Sequence, residues 1–219
     1  MTGNFMKKTA ITLSLSVVMC MMSLTAYAKF NIFGQNTGGG QMTVGEVKND
    51  VYENEYCGYS VGLPKGFKYL DAKGVAEIDG SSEEFIKDKD AVLKSIDKGN
   101  TVIVAYAEDS GGYNNVNIGL AKYGTSLGIS EKELYDETIS DIKAEFEEMG
   151  FTITDIDVVK ATIAGEEHYI IDTKAKLSGY NMYQKQAMLM GEDYAMCVTA
   201  TSFDDDITDD MLAKIEKIK

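Results

Sequence analysis

The chain has 219 residues, 44% of them apolar, which suits one globular domain with a sizeable core. Its 35 acidic residues outnumber its 21 basic residues, all of them lysine, and the formal charge is −14. We therefore expect no nucleic-acid partner, because phosphate binding needs clustered positive charge. A single histidine excludes a multi-histidine zinc site, and no C-x-x-C pair indicates redox work, so no cofactor is expected.

The first 28 residues have the pattern of a secretory signal peptide. Lys7 and Lys8 precede an apolar, uncharged run that ends near Thr25, and residues 26–28 read Ala-Tyr-Ala, a small-x-small cleavage site. The run is shorter than the roughly 20 residues that a membrane-spanning helix needs. The pattern predicts export and no transmembrane segment after signal removal. The mature 191 residues would carry a charge of −16, since the removed segment contains two lysines and no acid.

Cys20 offers a second interpretation of this segment. Residues 17–20, Val-Val-Met-Cys, resemble a lipoprotein cleavage box, although Met19 occupies a position that normally holds a small residue. A lipidated Cys20 therefore remains an alternative to a cysteine of the signal helix. Residues 29–47 include the Gly-rich run 34–41, which has flexible-linker composition. The sequence predicts a signal peptide over 1–28, a linker over 29–47 and a folded domain over 48–219.

The first half of the domain predicts short strands and one amphipathic helix. Residues 51–63 are rich in Tyr and Val and stop at Pro-Lys-Gly, which indicates a strand pair ending in a turn. Ser81 and Glu84 form a capping box, and the apolar spacing after them predicts a helix that ends at Gly99. A β-branched run and an alternating run on either side of a Gly-Gly turn then predict a hairpin over 101–123.

The second half predicts a helix, a meander and a final helix. Ser130 caps a helix whose apolar stripe continues to Met149, just before Gly150. Four strand-like runs separated by short turns follow between residues 151 and 202, and an apolar stripe from Thr208 to Ile218 predicts a last helix. Strands joined by short turns must be antiparallel. The predicted fold class is therefore α+β, an antiparallel sheet flanked by amphipathic helices.

Ser126 and His168 are the candidate residues for a hydrolase. Residues 124–128 match the G-x-S-x-G pattern of a nucleophile elbow, and His168 follows in the order that such enzymes use. However, Ser126 lies several residues before the predicted helix cap, whereas an elbow serine sits at a sharp turn leading directly into its helix. A connecting loop is the preferred interpretation of this segment, and no catalytic residue is expected.

The densest acidic cluster precedes and begins the last predicted helix, and it consists of Asp204, Asp205, Asp206, Asp209 and Asp210. Calcium prefers such oxygen ligands, but the spacing of a calcium-binding loop is absent. Negative charge in the first turn of a helix is stabilised by the helix dipole. We expect helix capping here and no metal site, and a weak calcium site is the alternative.

Cys57 and Cys197 are the two cysteines that remain after signal removal. Both fall in predicted strands of an exported protein, where disulfides persist. A bridge between them would close a long loop and stabilise the fold by up to about 4–5 kcal/mol. Two buried thiols that pack as small hydrophobic side chains are the alternative.

Five short segments together resemble the PsbP-like superfamily, which includes a Mog-type branch and exported proteins from Gram-positive bacteria. The resemblance rests on residues 59–67, 115–118, 163–169, 182–184 and 194–199, which resemble the opening strand, central strand, Ile-Ala-Gly hairpin and closing strands of that fold. It implies an α/β/α sandwich over about residues 50–219, used as a docking or assembly module with no shared catalytic residues.

The expected function is therefore that of an exported, non-enzymatic binding or assembly module of the cell envelope or extracellular space. Its partner would be another envelope or extracellular protein. Two alternatives stay open, namely an extracytoplasmic serine hydrolase that uses Ser126 and His168, and an accessory protein that binds calcium or a solute.

Overall fold

The computed structural model describes residues 42–122, 131–191 and 193–218. The predicted signal peptide, Cys20, Ser126 and most of the predicted linker lie outside these residues. The described strands and helices follow in chain order: β1 (Glu46–Lys48), β2 (Val51–Asn54), β3 (Tyr59–Val61), β4 (Phe67–Tyr69), α1 (Ala72–Asp79), α2 (Glu83–Lys87), α3 (Lys89–Asp97), β5 (Val102–Asp109), β6 (Asn115–Lys122), α4 (Glu131–Glu148), β7 (Thr152–Ile163), β8 (Glu166–Leu177), β9 (Tyr180–Met190), β10 (Tyr194–Phe203), α5 (Thr208–Leu212) and β11 (Ile215–Lys217).

These strands form two sheets. The larger sheet has seven strands in the order β4-β5-β6-β10-β9-β8-β7, and the smaller has four in the order β1-β2-β3-β11. All strand pairs in the described chain are antiparallel. The predicted α+β class with an antiparallel sheet is confirmed, as are the strand pair β2–β3, the hairpin β5–β6 and the four-strand meander from β7 to β10.

The seven-stranded sheet lies between two apolar layers because alternate side chains of each strand point to opposite faces. On one face, here called the α4 face, Phe146 and Ile142 of α4 pack over Ile171, Met188 and neighbouring strand residues. α1 packs on the same face against β5. The opposite face, here called the α3 face, carries α3, α5 and the small sheet. The sheet is therefore covered on both sides.

The segment that the capping box predicts as one helix forms two helices, α2 and α3. Ser82, not Ser81, caps α2, and its Oγ accepts a hydrogen bond from the Phe85 amide at 3.2 Å. Asp88 ends α2 and caps α3, since its carboxylate accepts from the Ala91 amide at 3.0 Å. An aspartate that hydrogen-bonds a backbone amide competes with helix continuation, which explains the break within an otherwise continuous apolar stripe.

The last predicted helix is also shorter than expected. α5 ends at Leu212, and Ile215, Glu216 and Lys217 form strand β11, which pairs with β3. Ile215 lies opposite Val61 and is 2% exposed. Ile215 follows Met211 by four residues, which is the spacing of a helix. The residue is nevertheless in a strand, because its side chain is buried against the small sheet.

The folded part of the chain begins before the predicted boundary at Lys48. Met42 and Val44 are buried in the main core, and β1 starts at Glu46. Residues 42–47, predicted as part of the linker, therefore belong to the domain.

Candidate functional site

His168 lies on β8, opposite Ala161 of the edge strand β7. A nucleophile elbow belongs to a largely parallel sheet, in which the serine leads into a helix. The sheet that carries His168 is antiparallel throughout its described strands. Ser126, the other residue of the predicted pair, lies outside the described residues.

The two cysteines are buried and unbridged. Cys57 follows β2 and packs in the core cluster of the α3 face, whereas Cys197 of β10 packs in the cluster of the α4 face. Burial raises the pKa of each thiol to about 12. The structure therefore has no disulfide between Cys57 and Cys197, and the two thiols pack as small hydrophobic side chains.

The acidic cluster around α5 serves helix capping and ion pairing. Asp206 accepts hydrogen bonds from the amide and the hydroxyl of Thr208, at 3.1 and 2.6 Å. Thr208 is the first residue of α5, and Ile207, at the cap position, makes no side-chain hydrogen bond. Asp209 forms an ion pair with Lys185 of β9. Within the described ranges, no three acidic, Cys or His side chains are grouped to hold a metal ion.

Lys185 is a lysine held almost entirely inside the protein. It is 7% exposed, it lies opposite Asp172 of β8, and its ammonium binds the exposed Asp209 carboxylate. Asp172 in turn lies opposite Asp157 of β7. A buried charge is costly without a partner, and the ion pair with Asp209 provides one for the Lys185 ammonium.

Asp172 should make the stability of the fold depend on pH. Burial raises its pKa, and the charges of Lys185 and Lys174 oppose that rise only in part. Protonated Asp172 therefore stabilises the folded protein. This contribution is complete below about pH 3.9, the pKa of aspartate in the unfolded chain, and it is lost as the pH rises through the higher pKa of the folded state. We expect Asp172→Asn to become more stable, relative to the parent chain, as pH increases from about 3 to about 7.

Urea unfolding of both chains across that pH range measures this difference. Asp205→Asn, on the neighbouring loop and exposed, is the matched control. If the difference in free energy of unfolding between Asp172→Asn and the parent chain stays constant with pH, the prediction is contradicted.

The described surface has an amphipathic cleft of about 350 Å³ between the small sheet and α3. That volume lies in the range of small ligand-binding sites. We call it the β1 cleft, and its lining residues are Met42, Thr43, Val44, Gly45, Glu46, Lys48, Glu53, Glu55, Lys89 and Leu93.

One wall of the β1 cleft is a fixed loop over residues 42–45. The Tyr52 hydroxyl donates to the Val44 carbonyl at 2.8 Å, and the Asn54 amide donates to the Thr43 carbonyl at 3.0 Å. Tyr52 and Asn54 are themselves 1% and 0% exposed. Gly45, at φ +74°, lets the loop approach β2 so closely that a Cβ there would lie 2.6 Å from the Glu53 carbonyl oxygen. The wall is therefore preorganised.

The cleft combines an apolar lining with charged side chains. Met42 and Val44 are buried, and Leu93 of α3 is half-buried. Around them, three glutamates outnumber two lysines, and Lys48 binds Glu46 at 2.7 Å and lowers the pKa of that carboxyl. The cleft therefore offers an apolar contact surface inside a mainly acidic rim.

The sequence alone does not reveal the β1 cleft, because the first residues of the cleft fall within the predicted linker. The sequence signal for this cleft is Gly45, followed by the alternating run Val-Tyr-Glu-Asn at 51–54. In the structure, the polar side chains of Tyr52 and Asn54 in this run face inward. Buried polar side chains need partners, and here the partners are carbonyls of the loop.

None of the helices in the described part of the chain has the length and apolar character needed to span a membrane. No protein family and no curated protein matches the sequence.

Two solved structures are similar to this chain at low sequence identity. The solution structure of cyanobacterial PsbP (CyanoP) from Synechocystis sp. PCC 6803 is 10% identical, with a TM-score of 0.46 over 85% of this chain and 99% of that one. The crystal structure of LpqN, involved in cell envelope biogenesis of Mycobacterium tuberculosis, is 10% identical, with a TM-score of 0.37 over 74% of this chain and 83% of that one.

Proposed function

We propose that this chain is an exported, non-enzymatic binding module, and that the β1 cleft receives an extended segment of an envelope or extracellular partner protein. The segment would carry an apolar side chain flanked by basic residues. The single observation that supports this proposal most is the preorganised, amphipathic β1 cleft, which lies directly beside the strand edge of β1.

An open strand edge can bind an extended segment through main-chain hydrogen bonds. β1 is the end strand of the four-stranded sheet and pairs with β2 among the described strands. All three of its residues are exposed, and Val47 is one of two large hydrophobic side chains exposed on the described surface, at 42%. These features favour strand addition at β1.

Charge supports a basic partner segment. The rim glutamates Glu46, Glu53 and Glu55 outnumber the rim lysines, and the chain as a whole carries a charge of −14. Complementary charge accelerates association and excludes acidic segments, whereas burial of an apolar side chain in the cleft supplies affinity. Leu93 and Met42 would provide that apolar contact.

The test uses a fluorescent peptide of alternating Leu and Lys residues and the chain from residue 29 onward. Leu93→Glu places a charge in the apolar part of the cleft, and we expect it to weaken binding at least about tenfold, which corresponds to about 1.4 kcal/mol. Fluorescence anisotropy at moderate salt measures the affinity, since salt screens contacts outside the cleft.

Tyr180→Glu is the matched control because it adds the same charge at the other exposed hydrophobic side chain, which lies on β9. We expect it to leave the affinity unchanged. If attraction to the negative chain alone caused binding, both variants would bind the cationic peptide more tightly, and the cleft would be excluded as the site. Turnover of an ester substrate that disappears in Ser126→Ala would overturn the non-enzymatic part of the proposal.

A further inference from the structure

The α4 face of the central strands carries a row of polar side chains where apolar ones would be expected. Each is at most 4% exposed, and each lies on β6, β8, β9 or β10. We call this set the polar row, and its members are Asn115, Asn117, Thr173, Gln184, Gln186, Thr199 and Thr201. None carries a charge, so the row holds only neutral hydrogen-bonding groups.

The part of the row on β9 and β10 is bonded internally. Gln186 Nε2 donates to Gln184 Oε1 at 2.5 Å, and Gln184 Nε2 donates to Thr201 Oγ1 at 3.2 Å. The strand register places Thr201 between Gln184 and Asn115, and Thr199 between Gln186 and Asn117. The hydrogen-bonded chain therefore ends at Thr201, directly beside Asn115 of β6, and Thr199 lies beside Asn117.

The two asparagines lack bonds at one atom each. Asn115 Oδ1, an acceptor, and Asn117 Nδ2, a donor, are buried with no hydrogen-bond partner. Both side chains lie on the same face of β6, two residues apart, which separates their Cα atoms by about 6.7 Å.

We propose that Asn115 and Asn117 bind one ordered water molecule inside the domain. The water donates to Asn115 Oδ1 and accepts from Asn117 Nδ2. Water supplies the missing donor and the missing acceptor together, which a cation or an anion alone does not. Buried waters of this kind bond to polar groups that the protein itself leaves unsatisfied.

A high-resolution crystal structure of the chain from residue 29 onward tests this directly. We expect one density peak within hydrogen-bond distance of both Asn115 Oδ1 and Asn117 Nδ2, and an NMR cross-peak between the Asn117 side-chain amide and a long-lived water. An empty gap, or density for a molecule larger than water, would overturn the proposal.

Asn117→Leu gives a second, energetic test, because leucine has a similar size and no polar group. If water bonds to the amide, the variant loses that bond and its melting temperature falls by about 2–4 °C. If the amide has no partner, its replacement leaves the melting temperature unchanged or raises it, which would contradict the proposal. Asn54→Leu is the matched control, since that buried amide bonds directly to protein atoms and its loss must lower the melting temperature.

Discussion

Replacing Gly45 by alanine is expected to destabilise the domain by about 2–5 kcal/mol, as the sum of two effects. The backbone of Gly45 has φ +74°, where a Cβ costs about 1–2 kcal/mol. The added Cβ would also lie 2.6 Å from both the Glu53 carbonyl oxygen and the Tyr52 hydroxyl. Overpacking of that kind costs about 1–3 kcal/mol and would separate the loop at 42–45 from β2. Chemical denaturation followed by circular dichroism measures the change.

Gly80→Ala separates the two effects. Gly80 has the same φ of +74°, at the end of α1, but a Cβ there meets nothing within 4 Å. We expect Gly80→Ala to cost about 1–2 kcal/mol, the backbone contribution alone. Gly45→Ala should also weaken binding of the Leu-Lys peptide, because the loop forms a wall of the β1 cleft, whereas Gly80→Ala should not. Equal losses of stability in the two variants would show that the close approach at Gly45 contributes nothing.

Phe146→Ala should have the largest effect on stability, a loss of about 3–5 kcal/mol. Phe146 is 0% exposed, and its ring meets the Phe151 ring edge-on, with centroids 5.3 Å apart. Truncation would remove the contact that joins α4 to the chain leading into β7 and would leave a cavity that this layer cannot fill. Urea unfolding monitored by circular dichroism gives the free energy of unfolding.

Phe85→Ala is the comparison for this variant, since Phe85 is only half-buried, at the margin of the α3-face core. We expect a smaller loss of stability, about 1–2 kcal/mol, because the half-buried Phe85 ring removes less apolar area from water on folding. Phe146→Ala should keep the peptide affinity of the parent chain at temperatures where it is folded, since the β1 cleft lies on the other side of the sheet. A loss of affinity in the folded variant would place the peptide elsewhere.

The meander from β7 to β10 could be predicted from the sequence because its signals are local. Each strand shows β-branched or alternating composition, and the turns at 164–165 and 178–179 have positive φ at both residues, as Ala-Gly and Ser-Gly. Short connections of this kind permit only antiparallel neighbours. Composition and turn chemistry were therefore sufficient for the fold class and for the larger part of the seven-stranded sheet.

The small sheet and its cleft could not be predicted because distant residues determine them. β11 is three residues long and has helical apolar spacing, and only its pairing with β3 makes it a strand. The loop at 42–45 has linker composition, and only hydrogen bonds from Tyr52 and Asn54 fix it. α1 was not predicted either, since Gly74 lowers the helix propensity of an eight-residue segment.

The pairing of β11 with β3 has a consequence for how the chain folds. Ser60 Oγ contacts the Glu216 carbonyl across 156 residues of sequence. Contacts at such a separation form late, because the entropy of closing the intervening loop must first be offset by other contacts. The seven-stranded sheet, built mostly from hairpins, can form while the small sheet is still open. The small sheet would therefore be completed last, when β11, the final strand of the described chain, pairs with β3.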